Sequence, residues 1–208
     1  MVELCLTLAE KSTADLQDKI NLYDGVVPIM EIRLDFLDPL VFPALPSRAG
    51  SRYLATCRPL REGGRYEGSE SDRVAVLLEA SRRGFSFIDL EHDVRSVPGW
   101  GAQVRVVRSR HDFEGCPAEL DRLFRELGKR EGEIAKLAVT PRDTCDLVRL
   151  LELMEKILAE TSGIILGMGP LGRMTRIVGP FLGAAWTYVA ESGNSVAPGQ
   201  FSLDLARD

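Results

Sequence analysis

The sequence predicts an α/β fold of parallel strands joined by helical crossovers. Short apolar or alternating runs recur along the 208 residues, helical patterns fall between most of them, and no linker or shift of composition divides the chain. The strand runs cover residues 2–8, 28–35, 52–58, 86–91, 103–109, 133–139, 163–168 and 184–190. Helical patterns cover 13–23 behind the cap residue Ser12, 69–83 stopped by Gly84, 117–129, 142–160 and 172–182. Eight strands in one such series predict a closed (β/α)8 TIM barrel, a single catalytic domain over residues 1–208, near the short end of that architecture at ~200 residues. An open, doubly wound sheet is the alternative. Two units look reduced: residues 92–102 leave room for only a shortened fourth crossover, and little more than one helix length follows the eighth strand.

Composition excludes several classes. Apolar residues make up 45% and charged residues 27%, as in an ordinary globular protein, and 26 basic against 31 acidic side chains give a net charge of −5. No basic stripe is interleaved with aromatics, so nucleic acid and anionic membrane are not expected partners. No apolar run approaches the ~20 residues of a membrane span, and no signal-like N-terminus is present. Cys5, Cys57, Cys116 and Cys145 show no C-x-x-C or metal-ligand spacing, which fits a reducing, cytoplasmic setting and argues against disulfides or structural zinc.

Among 21 arginines stand only five lysines, at 11, 19, 129, 136 and 156. Four lie in polar or helical surroundings. Lys136 interrupts Ile134-Ala-Lys-Leu-Ala-Val139, an otherwise buried strand. Desolvation disfavours the ammonium and leaves an amine able to form a Schiff base with a carbonyl. On residue type alone a second reading stays open, a strand-end lysine whose head reaches water.

Strand periodicity puts Glu31, Arg33 and Asp35 on one face, with Thr56 and Arg58, Asp89 and Glu91, and Lys136 at equivalent inward parities. Charges pointing into a barrel need partners or a ligand. His111 directly follows the fifth strand, where barrel enzymes carry catalytic groups, and its imidazole suits proton transfer. His92 reads as a loop residue; with Asp89, Glu91 and His111 it makes only a weak metal pattern. Gly167-Met-Gly-Pro-Leu-Gly172 matches G-x-G-x-x-G, but Pro170 and the short remaining chain favour a tight strand-to-helix turn over a dinucleotide site. Arg176, one turn into that helix, reads equally as an anion ligand or a solvated helix residue. Ala197-Pro-Gly-Gln200 reads as a tight turn.

Taken in order, Glu31-Ile-Arg33-Leu-Asp35, Cys57-Arg58-Pro-Leu-Arg-Glu62-Gly-Gly64, Ile88-Asp-Leu-Glu91, Ser109-Arg-His111-Asp-Phe113, Ala135-Lys136-Leu-Ala138, Met174-Thr-Arg176 and Ala197-Pro-Gly-Gln200 resemble type I 3-dehydroquinate dehydratase, the Schiff-base enzyme of the shikimate pathway. The resemblance implies a hydro-lyase of aromatic amino acid biosynthesis acting on 3-dehydroquinate, without metal or cofactor. It implies Lys136 as the imine-forming lysine, His111 as general base and acid, and Glu62 as the residue that orients the histidine. Thr7, Glu31, Arg33, Arg58, Arg176 and Gln200 would hold the substrate. Val196 stands where the family commonly has a serine, with Ser195 beside it. A homodimer is the expected assembly. Another Schiff-base lyase or aldolase on the same barrel remains an alternative, as does the dehydratase part of a bifunctional enzyme.

Overall fold

The computed structural model describes residues 3–94, 99–129, 132–194 and 196–207. All eight strand runs form strands: β1 (Leu4–Leu8), β2 (Ile29–Arg33), β3 (Arg52–Thr56), β4 (Phe87–Glu91), β5 (Arg105–Asp112), β6 (Ile134–Val139), β7 (Gly163–Gly167) and β8 (Thr187–Ala190). A two-residue strand, β9 (Phe201–Ser202), was not foreseen. The helical patterns form α1 (Thr13–Tyr23), α2 (Glu70–Arg82), α3 (Leu120–Leu127), α4 (Thr144–Leu158) and α5 (Gly169–Phe181), and the reduced terminal helix is α6 (Leu203–Arg207). The chain packs as two compact parts, Cys5–Val106, and Val107–Asp208 with Met1–Leu4.

In the first part, β1 to β4 pair in sequence order, all parallel, with Thr7 opposite Glu31, Arg33 opposite Thr56, and Thr56 opposite Asp89. Paired residues of a parallel ladder point to the same face, so one face collects Thr7, Glu31, Arg33, Thr56 and Asp89. Helix α1 is capped by Ser12, whose hydroxyl accepts from Asp15 N, and α2 by Ser69, which accepts from Asp72 N. One expectation needs correction. Strand β2 ends at Arg33, and Leu34–Phe36 turns as a short 3-10 helix, so Asp35 leaves the strand alternation. The connection to β3, where the sequence shows no helical pattern, holds no α-helix; Pro39, Pro43 and Pro46 remove donors that one would need. The fourth crossover is short as expected; its described residues hold only turns, and residues 95–98 lie outside them.

In the second part, β5, β6 and β7 pair in parallel, with Ser109 opposite Lys136 and His111 opposite Ala138. Ala135, Leu137 and Val139 of β6 pack against Leu120 and Phe124 of α3 and Leu150, Met154 and Ile157 of α4. Each fully buried side chain of that size contributes about 1.5–3 kcal/mol. This core fixes the facing of β6: with odd positions held by helices, Lys136 must point the other way. The G-x-G-x-x-G segment is a close packing device. A Cβ on Gly172 would lie 2.2 Å from the carbonyl carbon of Gly167, and Thr175 ties the pair by accepting from Gly167 N and donating to Gly172 O. Helix α5 therefore starts at Gly169, earlier than expected, with Pro170 in its first turn, where a missing N–H costs little.

Candidate active site

In the first part, the polar face of the sheet is a network of ion pairs and hydrogen bonds. Glu31, 5% exposed, accepts from Thr7 Oγ1 at 2.8 Å and from Thr56 Oγ1 at 2.8 Å. Arg33 grips Asp35 with two parallel hydrogen bonds of 2.9 and 2.7 Å, and Asp35 also accepts from Arg65 N. Arg58 is buried between two carboxylates, with Nη2 2.6 Å from Asp89 Oδ2 and Nη1 2.7 Å from Glu91 Oε1. Burial opposes its charge, but Asp89 and Glu91 outweigh that and raise its pKa well above the usual arginine value. Gly64 folds back over this arginine so closely that a Cβ would sit 2.0 Å from Arg58 O. Only glycine fits there.

Glu62, buried in a short 3-10 turn, has His92 Nδ1 at 3.8 Å from its Oε1. His92, read from the sequence as a loop residue, is thus the histidine near Glu62 within this part. Cys57 is a packing residue: burial, reinforced by Asp35, pushes its thiol up to about 12.

In the second part, Lys136 is 5% exposed and its Nζ lies 4.3 Å from the centroid of the Tyr188 ring. The open choice between a solvated and a buried lysine head is decided for burial. His111 shares its face, since Ser109 is the partner of Lys136 and His111 lies two residues further along β5. A strand separation of ~4.8 Å and a rise of ~3.3 Å per residue put the two Cα atoms about 8 Å apart. Side chains of this length can reach across such a gap. The His111 ring stacks on Phe113, centroids 6.2 Å apart.

Arg176 on α5 is not a solvated helix residue. It is 4% exposed, its Nη2 reaches only Pro198 O at a long 3.4 Å, and its buried Nε has no hydrogen-bond partner among the described residues. Burial pushes its pKa down to about 10, and the neighbouring Tyr188 opposes that fall only in part. Gln200 ties its own turn together: Oε1 accepts from Val196 N and Ala197 N, and Nε2 donates to Val189 O. Ser195 lies outside the described residues.

Two residues escaped the sequence reading. Tyr188 sits in an apolar run, and only the period-2 parity of β8 marks it. Arg73 is wholly buried on α2, where its spacing with Leu77 and Ala80 puts it on the apolar stripe.

A family model described as type I 3-dehydroquinase matches residues 4–208. The chain belongs to the type I 3-dehydroquinase family. It is therefore a hydro-lyase, and the resemblance read from its motifs holds. The 3-dehydroquinate dehydratase of Methanothermobacter thermautotrophicus is 31% identical over 99% of this chain and 94% of its own length. That of Methanocaldococcus jannaschii is 28% identical over 99% and 96%. The crystal structure of the Geobacillus kaustophilus 3-dehydroquinate dehydratase superposes with a TM-score of 0.82 at 24% identity, covering 100% of this chain and 89% of the other. This likeness shows the fold, an α/β single domain of the TIM-barrel class.

Proposed function

We propose that this chain dehydrates 3-dehydroquinate to 3-dehydroshikimate through an imine on Lys136, with His111 as general base and acid. The observation that carries the reading is the pairing of a buried lysine with a histidine on the same face of adjacent parallel strands.

The substrate is a cyclic β-hydroxy ketone bearing a carboxylate. Lys136 Nζ attacks the ketone carbon and water leaves, giving a protonated imine that acts as an electron sink. His111 removes the α-proton, and the C–H electron pair becomes an enamine. The enamine pushes out the β-hydroxyl, which takes a proton from the imidazolium and departs as water. Water then hydrolyses the imine, freeing product and Lys136. Positioned proton transfer of this kind contributes about 10²–10⁴-fold. The ring face of Tyr188 suits the cationic imine, since a positive nitrogen is attracted to an aromatic quadrupole.

Arg176 is the carboxylate ligand: a buried guanidinium with an unpartnered Nε gains from a bidentate anion. Thr7, Glu31, Arg33, Arg58 and Gln200 bind the substrate's polar groups, and Glu62 steadies the catalytic histidine. For Glu31, Arg33 and Arg58 the internal ion pairs and hydrogen bonds fix donor and acceptor directions in advance. Gln200 also holds its own turn together. The protein works as one barrel domain in the cytoplasm, consistent with free cysteines and with the absence of any described helix long and apolar enough to cross a membrane. A homodimer is the proposed assembly, which light scattering tests.

Borohydride reduction in the presence of 3-dehydroquinate, followed by mass spectrometry, tests the mechanism. The expected product is one reduced adduct on Lys136. No adduct, or one on another lysine, overturns the assignment.

A further inference from the structure

Arg73 stands behind Arg58, inside the first part of the chain. It is fully buried, yet three of its nitrogens are engaged. Nη2 lies 2.6 Å from Glu91 Oε2, the carboxylate oxygen that Arg58 does not use, and 2.6 Å from Glu70 Oε1. Nη1 donates to Cys57 O at 2.9 Å, the carbonyl of the peptide that leads into Arg58. Nε donates to Glu70 Oε2 at 3.1 Å. Glu70 in turn meets Arg61 at 3.2 Å, and Arg61 meets Asp93 at 3.0 Å. Charges therefore alternate without a break from the surface to Arg58.

Stability alone gives no reason for this construction. Buried ion pairs are often matched or bettered by well-packed apolar side chains. Charge does give a reason. Asp89 and Glu91 outnumber Arg58 and make its surroundings unfavourable to an anionic ligand. Arg73 sets a second buried cation against them, its own partner Glu70 being partly exposed and screened by solvent.

We propose that Arg73 is a positioning residue that sets both the net charge at Arg58 and the orientation of its peptide, and thereby the affinity for a carboxylate-bearing substrate. This rests on the reading of Arg58 as a substrate ligand. Arg73 does not touch the reacting atoms, so it acts on binding more than on turnover.

The test uses the full chain and steady-state dehydration of 3-dehydroquinate. Arg73→Met is expected to raise KM about tenfold while kcat changes less than about threefold, the effect of one unbalanced charge at an effective dielectric near ~20. Adding Glu91→Gln to Arg73→Met removes the excess negative charge and is expected to bring KM back to within about threefold of the unmodified enzyme. A purely structural role for Arg73 predicts no such rescue. An unchanged KM in Arg73→Met, or a double variant as weak as the single one, overturns the proposal. Should Arg73→Met fail to fold, Arg73→Lys carries the test. It keeps the charge and is expected to hold KM near the original value, so a KM raised about tenfold in folded Arg73→Lys overturns the charge mechanism. Borohydride trapping on the unmodified enzyme separates the two ideas. No adduct on Lys136 sinks the proposed function; a normal adduct with an insensitive Arg73→Met sinks only this inference.

Discussion

Two buried arginines, Arg58 in the first part of the chain and Arg176 in the second, are treated in opposite ways, although the second part also holds a paired one, Arg108 on Glu133. In the first, Glu31, Arg33, Asp35, Arg58, Asp89 and Glu91 are each met by a protein partner at hydrogen-bond distance. In the second, Arg176 is as deeply buried as Arg58, but its Nε has no partner among the described residues and its closest acceptor is a carbonyl at 3.4 Å. The consequence appears in the direction of the two pKa values. Partners hold Arg58 well above the ordinary value, while burial drives Arg176 down to about 10. The two arginines suit different tasks in the proposed reaction. One is a fixed dipole whose direction is set before anything binds, and the other stores an unmet demand for an anion.

The largest expected effect follows if the second part carries the chemistry. His111→Ala should lower kcat by about 10²–10⁴-fold while still forming the trappable imine on Lys136, because imine formation and proton transfer are separate steps. Rapid-quench borohydride trapping beside steady-state assay checks it. A variant that keeps full turnover removes His111 from the mechanism.

A matched pair of substitutions breaks or sharpens the contrast directly. Arg58→Met strands Asp89 and part of Glu91 in the interior, and should cost about 3–5 kcal/mol of stability. Arg176→Met removes a buried cation that the protein itself hardly satisfies, so stability should hold or rise by about 1 kcal/mol. KM should nevertheless rise roughly 10–100-fold, the worth of a charged hydrogen-bonded contact. Thermal or urea unfolding beside kinetics reads both. If Arg176→Met is as destabilised as Arg58→Met, the two arginines are not different in kind.

Much of this was legible in the sequence, and the failures have physical causes. Strands buried on both faces read as apolar runs, so one lysine in β6 stood out and period 2 gave its facing. The cap Ser12 was equally visible, whereas Ser69 was read as the first helical residue and proves to be the cap. Arg73 was not, because an arginine within a polar helix looks solvated until the stripe through Leu77 and Ala80 is traced. Tyr188 hid because its ring belongs with apolar neighbours. Asp35 was placed in a strand because alternation continues in the letters after the backbone has turned at Leu34. The contacts by which Gln200 ties its own turn were not legible, since they depend on the turn closing upon its own side chain.

The smallest expected effect belongs to a carboxylate of the first part that serves the scaffold alone. Asp24 ends helix α1 and accepts from Gly50 N, Ser51 N at 2.9 Å and Tyr53 Oη at 2.8 Å. Burial works to raise its pKa, but these donors outweigh it and hold it below the ordinary 3.8. Its stabilisation is therefore fully present above about pH 4 and is lost as the pH falls through the lowered folded value. Asp24→Asn keeps one acceptor oxygen and turns an NH2 group toward donors. The cost should be about 1–2 kcal/mol at pH 7, modest because the site is only partly buried. The gap in melting temperature between the two proteins should narrow as the pH drops from 5 toward 3, with kcat/KM at neutral pH unchanged. A gap that widens on acidification would mean that Asp24 gains nothing from its charge.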